Sequence, residues 1–240
     1  MRFIIMHKTN GHWESGATPT PELIARVGAM LGQIKKTGTL LAGEGLRASS
    51  EGVRVKFSAG ARNVIPGPFE RGNELPAAFS IVRTRSLDEA IEWASRQASV
   101  LGDGEVDIRP VTEPWDIGIG SRPAEIVTRR YMVLRKANAA TEAGAAPTPE
   151  QRAELYRLIE KSAAANVHLV TETMRPSSRG RRYKHSHNGV SVIDGPFTES
   201  KELIGGYVIV SAESLDVAGR LAHLYIDAVQ TDEVDVRELE

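Results

Sequence analysis

Tyr183, His185 and Asp194 are the side chains whose types and spacing most directly suggest chemistry in this 240-residue chain. Asn188-Gly189 is a strong two-residue hairpin signal, because a type I′ turn needs positive φ at both positions. With that pair as the loop, Tyr183 faces Asp194, His185 faces Val192 and His187 faces Val190, all on one side of the ladder. Asp194 then lies diagonal to His185, across a gap that these side chains can close. A carboxylate beside an imidazole orients the ring and raises its basicity. The chemistry expected here is general-base catalysis by His185, with Asp194 as its partner and Tyr183 as proton donor or ligand contact. Arg181 and Arg175 offer guanidinium groups to an anionic head. Glu172, three residues before Arg175, could bind a polar ligand or pair with that arginine. His185-x-His187 with Asp194 would also suit a metal, but His187 abuts the turn, and neither a metal nor another cofactor is expected.

The chain carries its own control for this reading. A shift of 128 positions places Arg2-Phe3-Ile4-Ile5-Met6 on Arg130-Tyr131-Met132-Val133-Leu134, and Val106-Asp107-Ile108-Arg109 on Val234-Asp235-Val236-Arg237, with no gap. Val55, Phe57, Ala59 and Pro66 stand where the second copy has Tyr183, His185, His187 and Asp194. The face is apolar in one copy and polar in the other, so it is expected to look inward, with the second copy as the chemically competent one. Glu44 and Arg47 recur as Glu172 and Arg175, and retention in both copies favours a structural ion pair. The same holds for Glu74/Glu202 and Arg109/Arg237.

Two copies of this size imply two domains, over 1–112 and 129–240, joined by a linker over 113–128. A formal charge of -1 argues against a nucleic-acid partner, which would need a positive field. No apolar run approaches a membrane span, and the absence of cysteine excludes disulfides and thiolate chemistry. The expected setting is cytoplasmic and the expected partner a small-molecule ligand. A homodimer remains an open alternative, because exchange between chains would bury the same sheets.

Each copy reads strand, helix, strand, hairpin strands, helix, strand. Thr20-Pro21-Glu22 and Thr148-Pro149-Glu150 open the first helices, with threonine as cap and proline at the first helical position. Ser86-Leu87-Asp88 and Ser214-Leu215-Asp216 open the second. Strands are expected at Phe3–His7, Leu40–Leu46, Val53–Phe57, Ala78–Val82, Val106–Val111, Tyr207–Val210 and Val234–Leu239. Asn10–Pro19 reads as a loop whose Trp13 either covers a cavity or packs locally. This is a βαββαβ order, so the expected class is α+β: two ferredoxin-like domains whose bare sheet faces cover each other in a pseudo-dimeric α/β barrel.

The run Val192-Ile193-Asp194-Gly195-Pro196-Phe197-Thr198-Glu199-Ser200-Lys201-Glu202-Leu203-Ile204-Gly205-Gly206-Tyr207 resembles the signature of the DGPF-type YCII-related proteins. Gly43-Glu44-Gly45-Leu46 and Ser86-Leu87-Asp88-Glu89-Ala90-Ile91-Glu92-Trp93-Ala94 fit the same pattern. The first copy departs from it at Pro66, at Arg71-Gly72-Asn73 and at Pro76-Ala77-Ala78. The resemblance implies the dimeric α/β-barrel fold, on which cofactor-free enzymes act on small organic molecules. It also implies a histidine on the first helix as an active-site group, but neither first helix here contains one. Three functions follow as expectations: a cofactor-independent enzyme for a small anionic molecule, a non-catalytic binding module, or a protein-interaction accessory.

Overall fold

Helix starts are set by the caps that the sequence supplies. The Thr20 hydroxyl accepts from Leu23 N, Thr148 from Gln151 N, Ser86 from Glu89 N and Ser214 from Val217 N. A computed structural model describes residues 1–70, 72–186 and 189–240; Arg71, His187 and Asn188, and with them the expected position of His187, lie outside the described residues. The first half runs β1 (Arg2–Lys8), α1 (Gly11–Glu14), α2 (Pro21–Lys36), β2 (Leu40–Gly45), β3 (Val53–Ser58), β4 (Ala61–Pro66), β5 (Pro76–Thr84), α3 (Leu87–Leu101) and β6 (Gly104–Pro110). The second runs β7 (Arg129–Lys136), α4 (Ala139–Glu142), α5 (Pro149–Ala164), β8 (His168–Thr173), β9 (Gly180–Ser186), β10 (Gly189–Asp194), β11 (Ile204–Ser211), α6 (Leu215–Val229) and β12 (Glu233–Glu238).

Strand pairing interleaves the halves. One antiparallel sheet has the order β10-β9-β12-β1-β11-β2, the other β4-β3-β6-β7-β5-β8. Each sheet therefore takes its β-hairpin and two further strands from one half, and the strand–helix–strand opening from the other. The exchange occurs within one chain. Helices follow their strands: α2 packs with α6 over the first sheet, and α3 with α5 over the second.

The period-two alternation of β1 divides the core. Phe3 and Ile5 face the α2/α6 layer with Val208 and Val234, while Ile4 and Met6 face the other sheet. Between the sheets, Ile4, Met6 and Ile209 meet Phe79, Ile81, Met132 and Leu134. The Leu46–Val111 and Met174–Leu239 bridges tie the two sheets at their ends.

Buried ion clusters recur in both halves. Asp107 binds Arg54 and Lys136, joined by Glu74; Asp235 binds Arg182 and Lys8, whose Nζ also reaches the Ser200 hydroxyl at 2.9 Å. Removing one member of such a pair strands a charge in low dielectric and costs about 3–5 kcal/mol. The Gly-Pro-Phe signature serves these clusters. Phe69 and Phe197 lie under the Arg54 and Arg182 guanidinium groups at 4.7 and 4.6 Å. A Cβ on Gly67 or Gly195 would strike the carbonyl of Ser49 or Ser177. Those three signature residues are architectural, which explains their presence in both copies.

Candidate functional site

The hairpin expected to carry chemistry has a different register. Gly189 pairs with Ser186, Val190 with His185, Val192 with Tyr183 and Asp194 with Arg181. The correction has a local cause visible in the first copy, where Ser58 pairs with Ala61 around Ala59-Gly60, both at positive φ. The second hairpin keeps that register and absorbs Gly189 into the ladder. His185 and Asp194 still share a face, but four residues apart along it, about 13 Å.

The environment of that face also differs from expectation. It turns toward α6 rather than toward the other sheet. Tyr183 is 3% exposed and belongs to the α6 core, with its hydroxyl packed where a Cβ on Gly219 would stand. The first copy has Val55 and Ile91 at these two positions, so Tyr183 and Gly219 form a large-for-small exchange at constant volume. Asp194 is 77% exposed and accepts from Arg181 at 2.7 Å; Arg181 also binds Asp216. His185 is exposed. Glu172 pairs with Arg2 at 2.7 Å, and Glu44 with Arg130, so the recurring glutamates bridge the two sheets instead of meeting Arg175 and Arg47. Arg175 is 46% exposed and approaches Glu238 at 3.4 Å. Arg109 and Arg237 are buried and bind backbone carbonyls, as structural arginines do.

The chemistry-bearing arrangement lies elsewhere, under α2. A cavity of about 430 Å³ opens between α2, the β1–β11–β2 face and the end of α6, within the roughly 300–1,000 Å³ of small-molecule sites. Its roof is apolar, with Leu23, Ile24, Val27 and Leu31 from α2. Trp13, on the short helix α1 within the stretch expected to be a loop, lines one side. Its floor includes His7 on β1, Gly205 and Tyr207 on β11, and Gly43 and Gly45 on β2. The glycines beside the histidine give its ring room to lie against β11.

Those glycines are required by close approach. A Cβ on Gly205 would lie 2.7 Å from His7 Nε2, and one on Gly206 2.7 Å from both His7 Cε1 and the Glu44 carbonyl. The Gly-Gly of the signature is thus the seat of the imidazole. On the other side of the ring, Nδ1 meets the Tyr225 hydroxyl at 2.8 Å. Burial, reinforced by Arg109 and Lys8, lowers the His7 pKa to about 4. Burial pushes the Tyr225 phenol up, and does the same to Tyr207, whose neighbour Glu44 adds to it. His7 is then neutral and Tyr225 protonated at pH 7. With the ring proton on Nε2 the phenol donates to Nδ1; with it on Nδ1 the ring donates to the phenol oxygen. Among the described residues no three His, Asp or Glu side chains converge as a metal would require.

The sequence held signals for this site. His7 corresponds to Arg135, Tyr225 to Gln97, Gly205-Gly206 to Ala77-Ala78, and Leu23-Ile24 to Gln151-Arg152. Each copy contributes only part of the site, β1, α2 and β2 from the first and β11 and α6 from the second. A comparison that treats each copy as self-contained misses the combination.

No helix is long and apolar enough to cross a membrane among the described residues. No curated protein matches the chain significantly. The family model of the YCII-related domain matches twice, over residues 1–115 and 129–237. The chain therefore belongs to the YCII-related domain family, as two tandem copies.

Proposed function

We propose that this protein is a cofactor-independent acid–base enzyme for a small organic molecule. In this reading its two repeats, over 1–112 and 129–240, form ferredoxin-like units of a pseudo-dimeric α/β barrel. The observation that carries the functional reading is the bond between His7 and Tyr225 on the wall of a largely apolar cavity, whose desolvation favours the neutral imidazole. A substrate proton passes to the Tyr225 oxygen while that phenol gives its own proton to His7 Nδ1. Tyr225 ends neutral, His7 becomes imidazolium, and the substrate is left as an anion. Lys8 and Arg109, which disfavour the proton on His7, favour that anion. Neutral His7 is the working form, so the base limb of the rate falls as pH drops through about 4.

A non-catalytic binding module is the second reading, favoured by the internal pairing of cavity charges, Arg109 with Glu14 and Glu44 with Arg130. Solvent deuterium exchange separates the two. Small ketones and lactones with acidic C–H bonds are incubated in D₂O with wild type and His7→Gln, and deuterium incorporation is followed by NMR. The enzyme reading expects exchange above background that His7→Gln abolishes while binding persists. Binding without exchange supports the module, and exchange indifferent to His7→Gln contradicts the assignment of the base.

A further inference from the structure

We infer that the cavity takes an organic acid, with its carboxylate held at Arg47, its apolar body under α2 and its reactive atom at the Tyr225–His7 pair. The inference rests on the small-molecule reading of the cavity and names the class of molecule. Arg47 lines the cavity just beyond β2, and its Nε is buried with no hydrogen-bond partner among the described residues. Among the described residues its ion pair runs from the far end of the guanidinium to Glu51, at 2.7 Å.

The second copy shows what fits such an Nε. The counterpart Arg175 directs its Nε to the Glu238 carboxylate at 3.4 Å. The first copy has Pro110 where the second has Glu238, so the carboxylate is missing on the cavity side alone. The Arg47 side chain keeps 23% of its surface exposed, and a ligand carboxylate reaching that guanidinium would supply the countercharge that Glu238 gives Arg175 in the other half.

The floor between Arg47 and His7 sets the length of the molecule. The row from His7 through Gly206 to Gly45 spans two strand spacings, about 10 Å, and Arg47 follows two residues later. An acid of this class therefore carries its reactive centre several bonds from the carboxylate, along the Leu23, Ile24, Val27 and Leu31 wall.

The test compares acids with neutral isosteres, benzoate, phenylacetate and hexanoate against their amides, by calorimetry and tryptophan fluorescence. A charge-assisted hydrogen bond predicts that wild type prefers the acid by about tenfold or more. Arg47→Gln removes that preference and Arg175→Gln leaves it intact. Glu51→Gln, which frees Arg47 without deleting it, strengthens acid binding and keeps the test open if Arg47→Gln does not fold. Equal binding of acid and amide by wild type overturns this inference and leaves the cavity reading standing. So does a preference that survives Arg47→Gln, or one unchanged by Glu51→Gln. Binding of neither series overturns both.

Discussion

The β1–β11–β2 face and the β7–β5–β8 face occupy corresponding positions in the two sheets and have opposite contents. The first carries His7, Gly206 and Gly45 in one cross-strand row; the second carries Arg135, Ala78 and Thr173. One row further, Ile5, Val208 and Gly43 correspond to Val133, Ser80 and Thr171, where the Ser80 and Thr171 hydroxyls are bonded at 2.7 Å. The roof differs in the same sense, Leu23 and Ile24 against Gln151 and Arg152. What both halves keep, the Gly-Pro-Phe turn and the Asp107 and Asp235 clusters, holds the fold together. His7, Tyr225 and the Gly205-Gly206 pair, each present in one half alone, mark the site.

The comparison is sharpest at the glycines. Gly206→Ala must displace either the His7 ring or the Glu44 carbonyl, and should destabilise the protein by about 1–3 kcal/mol in urea unfolding. Ala78→Gly, the reciprocal change, creates no clash and should cost only about 0.5–1 kcal/mol. Equal costs would break the claim that the imidazole dictates the glycines. A smaller effect belongs to the hairpin. Asp194→Ala removes only an exposed ion pair with Arg181 and should change stability by less than about 1 kcal/mol. Ligand binding and exchange should be unchanged, and a loss of either would return the site to the hairpin.

The fold was legible because its signals are local. Thr20, Ser86, Thr148 and Ser214 cap helices where threonine and serine were read as caps, and the alternation of Val53 to Phe57 is a strand. The interleaving of the halves was not legible, since local periodicity does not say which copy of a strand pairs with which. The site was lost for the same reason. Asn188-Gly189 also misled, because a strong turn dipeptide outweighed the register set by Ala59-Gly60 in the first copy. Trp13 was read as either a cavity cover or a local packing residue, and it lines the cavity.

The account turns on a neutral, half-buried His7. Its folded pKa lies below the ordinary 6.5, so the unfolded chain takes the proton first as pH falls. Burial of His7 costs nothing above about pH 6.5 and up to about 3 kcal/mol below about pH 4. The most direct measurement is the NMR titration of the His7 ring, assigned by comparison with His7→Gln. The account predicts a neutral Nε2–H ring that resists protonation until about pH 4. A midpoint near 6.5 would mean an imidazole open to water, and would contradict the composite site.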